Sequence, residues 1–269
     1  MCKWGSLSTV AAACVAGAVQ AMEYNVPEDY TLDAAITAAT DAADVILVAP
    51  GEYETTTQYG PNLKAKLIGL GATRDDVVIS PKDNTYRTLR TGAGAWIENV
   101  TIVGNTNSSK VDKGGAIEMS GGTVTNCVIR DGRAYGNNNK HCGGNLYLNA
   151  SSILVVDCVI SGGQARKHGG NVCIDGGGTL RNCTIENGVS GIDSTTDEPR
   201  GANVYMYKGV VENCTIKDGT GAERAGNVYL GNEAASVSGS TISGATRLLC
   251  CTNEVVVDFM PRSRPAEGL

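Results

Sequence analysis

The sequence predicts an all-β fold, a single-stranded right-handed parallel β-helix, which is a solenoid, with an N-terminal capping α-helix. Two repeated strings and the residue type at one repeated bend lead to this prediction. The composition agrees with it: 35 Gly, 7 Pro and 5% aromatic residues in 269 positions disfavour a helical bundle, and no Gly-X-Y period indicates collagen.

The first repeated string is a turn residue, a cysteine, any residue and an isoleucine. Its copies begin at Asn126, Asp157, Asn182 and Asn213, and variants without the cysteine begin at Asn99 and Gly239. Asn, Asp and Gly are the residues that tolerate a left-handed backbone conformation. The string therefore predicts one sharp bend per coil, with an apolar strand end on each side of it.

The second string is Gly or Ala, then Asn, then three strand-like residues. It occupies residues 144–148, 170–174, 202–206 and 226–230, with a degenerate copy at 115–119. Alternation along a strand turns Leu146 and Leu148 inward and Tyr147 outward. Two strand-like strings per period, joined by connections of variable length, are typical of a solenoid.

Four cysteines, Cys127, Cys158, Cys183 and Cys214, share one inward position of the repeat. In-register strands stack about 4.7 Å apart, whereas a disulfide needs Cβ atoms about 3.8 Å apart. We expect these four to be reduced and buried, and no ligand spacing predicts a metal site. The pairing of the other cysteines stays open at this point: Cys142, Cys173, Cys250 and Cys251.

The N-terminal segment of the chain predicts export. Residues 1–21 have Lys3, an uncharged stretch and small residues before a cleavage point, as in a signal peptide. A short core helix and a lipoprotein signal at Cys14 are the alternatives. We expect a secreted, extracellular or cell-envelope protein with a β-helix domain at 22–260, a capping helix at about 31–43, coils at about 63–245 and a disordered tail at 261–269.

The net charge disfavours a nucleic-acid partner, and the hydropathy predicts no membrane span. Cleavage after residue 21 removes one of 22 basic residues and none of 28 acidic ones, so 21 minus 28 leaves a net charge of −7. This balance disfavours nucleic acid. No later stretch of the sequence has the ~18 uncharged apolar residues of a membrane span, so no transmembrane segment is predicted. We expect a monomer.

The segment 48–53 (VAPGEY), the segment 67–71 (LIGLG) and the Asn-Cys-x-Ile coils together resemble the pectate-lyase-like superfamily of right-handed β-helix proteins, in particular exported bacterial β-helix repeat proteins. The resemblance covers roughly residues 24–242. It implies an asparagine ladder at the bend and a substrate groove along the outer face of the second string. The sequence lacks the catalytic motifs of polygalacturonases, pectin methylesterases and the main pectate lyases.

Basic side chains precede the second string in successive coils, and outward tyrosines follow within it. The predicted substrate-binding residues are Lys113, His141, His168, Arg200, Arg224, Tyr147, Tyr205 and Tyr229. A cationic, aromatic groove on an acidic protein suits an acidic polysaccharide. The alternative is that the cations are solvated loop residues paired with nearby acids, and that the tyrosines stack for structural reasons.

Two function classes follow. The first, which we favour, is a non-catalytic polysaccharide-binding or surface-adhesion protein. The second is a polysaccharide lyase or glycoside hydrolase that acts on pectin-like polymers, with Lys167, His168 and Asp175 as candidate catalytic residues. One acidic side chain at the groove centre is too few for calcium, which takes six to eight oxygens, so calcium is expected only if the protein is a lyase. No cofactor is expected.

Overall fold

The computed structural model describes residues 20–57, 60–84, 86–106, 110–136, 142–192, 198–221 and 226–244, together with the backbone of 249–250 and 257–259. Except for Gln20 and Ala21, the predicted signal peptide lies outside these residues, and so does the predicted tail at 261–269. No helix within the described ranges is both long enough and apolar enough to cross a membrane.

The described chain is almost entirely strand. In chain order the strands are β1 (Glu23–Val26), β2 (Val45–Val48), β3 (Gly51–Thr55), β4 (Asn62–Leu63), β5 (Lys66–Gly69), β6 (Val77–Pro81), β7 (Leu89–Thr91), β8 (Trp96–Glu98), β9 (Thr101–Val103), β10 (Ile117–Met119), β11 (Thr123–Thr125), β12 (Val128–Arg130), β13 (Arg133–Ala134), β14 (Leu146–Val156), β15 (Val159–Ser161), β16 (Gln164–Ala165), β17 (Val172–Arg181), β18 (Thr184–Glu186), β19 (Val189–Ser190), β20 (Val204–Met206), β21 (Gly209–Glu212), β22 (Thr215–Lys217), β23 (Val228–Leu230), β24 (Ala235–Ser238), β25 (Ser240–Ile242), β26 (Leu249–Cys250) and β27 (Val257–Phe259).

These strands stack in parallel on three faces of a right-handed β-helix, which confirms the predicted fold. Face 1 contains β4, β7, β10, β14, β17, β20, β23 and β26, and it carries the second string. Face 2 runs from β1 through β2, β5, β8, β11, β14, β17 and β21 to β24. Face 3 runs from β3 to β27 through β6, β9, β12, β15, β18, β22 and β25. Strands β14 and β17 are long enough to contribute to both face 1 and face 2.

The predicted bend lies between faces 2 and 3, and all six of its positions have positive φ. The angles are 58° at Asn99, 49° at Asn126, 56° at Asp157, 53° at Asn182, 53° at Asn213 and 56° at Gly239. Side chains at the bend also bond from coil to coil: Asn126 Nδ2 donates to Asn99 Oδ1 over 3.1 Å. The left-handed bend inferred from residue type is therefore confirmed.

The cysteine column is also confirmed, since its four members are buried and free. Each thiol donates to a carbonyl of the preceding coil, as Cys183 Sγ does to Val155 O at 3.6 Å. In the next coil Ser240 takes this position, and its hydroxyl accepts from Cys214 N at 3.0 Å. The hydrogen bond that its protonated thiol makes to Cys158, with burial, raises the pKa of Cys183 to about 12.

One helix, α1 (Leu32–Ala38), precedes β2, and its Leu32, Ala35 and Ile36 are buried against the core. The predicted end at residue 43 is wrong. Asp41 Oδ1 accepts from Ala43 N at 2.8 Å, and Asp44 Oδ2 accepts from Asp41 N at 3.1 Å. These carboxylates take the N–H groups that further helical turns would use. Strand β1 precedes the helix and pairs with β2, and the capping role of α1 stays a prediction.

Candidate functional site

A fully buried asparagine ladder lies at the start of the face 1 strands. It consists of Asn145, Asn171, Asn203 and Asn227, linked from Nδ2 to Oδ1 over 2.8, 2.6 and 2.6 Å. Each Oδ1 also accepts from the backbone N–H of a glycine that follows face 3, as Asn171 does from Gly163 at 2.8 Å. An asparagine ladder is thus confirmed, but this run lies at the start of face 1 and not at the bend where the resemblance placed the ladder. It ties face 1 to the end of face 3.

After face 3 the chain leaves the β-helix, and it returns before the next strand of face 1. The outgoing strands are β13, β16 and β19, and the returning residues form single parallel bridges, Lys113 to Cys142, Cys142 to His168 and His168 to Arg200. We call these two layers the side wall. Gly144 of the returning layer lies so close to the outgoing strand that an added Cβ would be 2.2 Å from Gln164 N. Only glycine permits this backbone contact.

The bridges stack the predicted cations Lys113, His168 and Arg200 in one column. We call this column the ladder, and the column of buried asparagines is always called the asparagine ladder. The two other predicted cations, His141 and Arg224, lie outside the described residues. In the coil of His141 the ladder position belongs to Cys142 instead. Cys142 stands three residues before Asn145, at the same spacing as His168 before Asn171 and Arg200 before Asn203.

Each ladder residue contacts the outward face 1 residue of the next coil. Lys113 Nζ lies 4.1 Å from the centre of the Tyr147 ring, the His168 ring stacks on Tyr205 at 4.8 Å, and Arg200 Cζ lies 5.1 Å from the centre of the Tyr229 ring. Tyr205 and Tyr229 stack nearly parallel, 5.5 Å apart. The contacts hold the wall against face 1. Arg200 also pairs with a nearby acid, since its Nη2 lies 4.0 Å from Glu198 Oε2.

Tyr147 joins the ladder to an acid. Its hydroxyl accepts from Lys113 Nζ at 2.7 Å and donates to Asp175 Oδ2 at 2.6 Å. Burial of the ring, followed by the hydrogen bond to Asp175, raises the pKa of Tyr147. The phenol therefore stays neutral at physiological pH and acts as a fixed bridge between a cation and a carboxylate.

Comparison with known proteins agrees with this architecture. No protein-family model and no curated protein sequence matches the chain. Among solved structures, Escherichia coli YbhC superposes with a TM-score of 0.51 at 16% identity, over 89% of this chain and 75% of that one. The chain shares the right-handed parallel β-helix fold of this structure.

Two other structures are similar at lower scores. The rice weevil pectin methyl esterase has a TM-score of 0.44 at 12% identity, over 90% of this chain and 91% of its own. The A-module of a mannuronan C-5 epimerase from Azotobacter vinelandii has a TM-score of 0.30 at 18% identity, over 79% and 83%.

On this β-helix the tyrosines are less accessible than the sequence predicted. Tyr147 is 2% exposed and Tyr229 is 7% exposed, while Tyr205 is half-buried. The expectation of open ring faces is wrong for the first two, because ladder side chains of the wall cover them.

The three candidate catalytic residues lie along the junction between face 1 and the side wall, and they differ in their neighbours. His168 is half-buried in its stack on Tyr205, Lys167 precedes it on the wall, and Asp175 accepts from Tyr147. Within the described part of the chain, no group of three or more His, Cys, Asp or Glu side chains could hold a metal ion.

A disulfide joins Cys142 of the ladder to Cys173 of face 1, with Cα atoms 5.5 Å apart. It takes the place of a cation-tyrosine contact in the middle coil. The sequence analysis left this pairing open, although the signal was present: Cys142 stands at a ladder position and Cys173 at the tyrosine position of the following coil. Cys250 is described only by its backbone, and Cys251 lies outside the described residues.

Sequence reasoning also missed Arg87, which forms an ion pair with Glu118 on face 1. Arg87 is 8% exposed, and burial lowers its pKa to about 10. The pair joins a residue ahead of one face 1 strand to an outward residue of the next coil, as the ladder contacts do. The pattern therefore consists of five contacts that join six successive coils.

Proposed function

We propose that this protein is a secreted or cell-envelope β-helix protein that binds an acidic polysaccharide along the groove between face 1 and the side wall. The observation that carries the proposal is the ladder, which holds Lys113, His168 and Arg200 in one column. Coils stack about 4.8 Å apart, so the cations form a linear charged track. An extended polyanion is the complement of such a track.

The net charge of the whole protein sharpens this argument. The chain carries a formal charge of −6, so a polyanion is repelled by most of its surface and attracted at the ladder. The tyrosine rings under Lys113 and Arg200 hold these cations in place, which lowers the entropy lost on binding. The groove therefore favours an acidic glycan over a neutral one.

Two features support export. Residues 1–21 have the pattern of a signal peptide, and the Cys142–Cys173 disulfide suits an oxidising compartment. We propose an extracellular or envelope location and a monomer, since one chain presents the complete ladder.

A polysaccharide lyase is the second candidate function, and the Lys113–Tyr147–Asp175 bridge favours it. Asp175 is half-buried beside the groove and is held by the Tyr147 hydroxyl. A carboxylate and a cation fixed on either side of a neutral phenol could move a proton and stabilise the developing charge of β-elimination.

Arg200→Gln tests the binding proposal. We expect its affinity for polygalacturonate to fall about three- to tenfold at low salt, with a weaker salt dependence and no change towards a neutral β-glucan. Arg181→Gln is the matched control, because Arg181 lies on face 2 and pairs with Glu212. Equal loss in both variants, or unchanged affinity and salt dependence in Arg200→Gln, would contradict the proposal.

The same polygalacturonate samples are assayed for unsaturated products. Their formation by the wild type, and its loss in Asp175→Asn, would assign the lyase function. Binding without product would leave a binding protein.

A further inference from the structure

A cavity of about 360 Å³ is lined by residues of face 3, of the outgoing layer of the side wall and of the bends between them, and by none of the returning layer. Arg130 of β12 forms one side of it, and Arg133 of β13 with Gln164 of β16 forms the other. The bend residues Asp131 and Gly162, with φ of 60° and 66°, lie between the two sides. The cavity therefore occupies the angle where the outgoing strands leave face 3.

The two arginines of this cavity differ in their partners. Arg130 Nη1 donates to Asp131 Oδ2 at 2.6 Å, so its charge is balanced locally. The guanidinium of Arg133 lies 4.7 Å from the centre of the Tyr135 ring, and its buried Nε has no hydrogen-bond partner among the described residues. No ion pair to Arg133 occurs in the described part of the chain either. The cavity thus contains one guanidinium whose charge is not balanced.

We propose that this cavity is a second binding site, for the carboxylate-bearing sugar unit of an acidic glycan. The proposal rests on the proposed function, because it assigns the same ligand class to a separate site. Its volume falls within the usual ~300–1,000 Å³ of small-ligand pockets. Arg133 offers a planar pair of donors suited to a carboxylate. The Gln164 amide and the Thr106 hydroxyl offer hydrogen bonds to sugar hydroxyls.

Two sites on opposite sides of one wall have a functional consequence. A single polymer strand cannot follow both, because the wall separates the groove from the cavity. The protein would bind two acidic segments at once, and this bivalency would link chains and raise avidity for a gel over that for a soluble oligomer.

The test is calorimetric titration of the full-length protein with trigalacturonate, and separately with sodium sulfate. We expect two trigalacturonate sites in the wild type. Arg133→Gln should weaken one of them about tenfold and leave the other unchanged. Gln164→Glu should do the same, because it places a carboxylate in the cavity while keeping size and backbone pairing. Arg181→Gln is the control, and the unfolding midpoint of each variant checks the fold.

The outcomes separate this proposal from the previous one. If neither Arg133→Gln nor Gln164→Glu changes any site, the cavity proposal is wrong. If a site is lost in both cavity variants but no site responds to Arg200→Gln, the cavity is supported and the groove is wrong. If sulfate binds the cavity as tightly as trigalacturonate does, the cavity recognises a bare anion, and its assignment to a sugar is overturned.

Discussion

At the residue scale, the buried asparagine ladder shows how a polar side chain can stabilise an apolar core. Asn171 donates to Glu186 O at 2.8 Å and to Asn203 Oδ1 at 2.6 Å. It accepts from Gly163 N and from Asn145 Nδ2, both at 2.8 Å. An amide side chain has two donor hydrogens and two acceptor lone pairs, so every one is used. Aspartate would lack the donors and leucine would satisfy none of the partners.

Asn171→Ala should therefore lower the free energy of unfolding by roughly 3 kcal/mol or more, because it leaves several buried partners unsatisfied. Asn149→Ala is the matched control, since Asn149 is exposed on β14, and it should change stability by less than about 0.5 kcal/mol. Urea unfolding measures both. Similar losses in the two variants would mean that the asparagine ladder adds nothing to stability beyond strand propensity.

At the scale of elements, the side wall covers the outer side of face 1. Its two layers touch backbone to backbone, at glycines that follow the ladder residues, and its side chains cover the face 1 tyrosines. The disulfide between Cys142 and Cys173 links the wall covalently to face 1 at its centre. The side chains of the wall thus pack on the outward residues of face 1.

Gly144→Ala tests this packing. The added methyl would lie 2.2 Å from Gln164 N and 2.3 Å from Gly170 O, so two backbone layers must separate. We expect a loss of about 3 kcal/mol or more in unfolding free energy, together with weaker binding of polygalacturonate. Gly92→Ala serves as the control, because its nearest neighbours would be 3.8 Å away. A stable Gly144→Ala protein with full affinity would refute the close-packed wall.

For the whole molecule, the interior column of thiols links stability to alkaline pH. The hydrogen bond that each protonated thiol makes to the preceding cysteine, with burial, raises the pKa of Cys158, Cys183 and Cys214 above the ordinary value of 9.0. Above that value the unfolded chain has lost these protons while the folded chain still holds them. Stability is therefore complete below pH 9.0 and falls as the pH rises towards the folded values, which is about 12 for Cys183.

We expect the unfolding free energy to fall above pH 9.0 by about 1 kcal/mol per pH unit for each buried thiol. Cys183→Ala should show a shallower decline, since one titrating group has been removed, even though its stability at neutral pH is lower. Guanidinium unfolding in the absence of oxygen measures both slopes. A decline that is identical in the two proteins would show that Cys183 does not titrate on unfolding.

The sequence by itself determined the coil. The bends at Asn99, Asn126 and Asp157 follow from the φ that each residue type tolerates, and the buried thiols follow from spacing across a strand. These are local properties, repeated in every turn, so they can be predicted without knowing how coils meet. The cation column followed from the same repeat for Lys113 and Arg200.

Only the tertiary structure decided which contacts form between the coils. The end of α1, the covering of Tyr147 and Tyr229, and the pairing of Cys142 with Cys173 all depend on contacts between segments. The connections between coils differ in length, so the sequence alone does not align equivalent positions. For this reason the repeat placed His141 in the cation column, whereas the neighbouring Cys142 forms the bridges there. Local preference sets the path of a coil, whereas the contacts that shape the groove form between side chains far apart in sequence, once the coils are stacked.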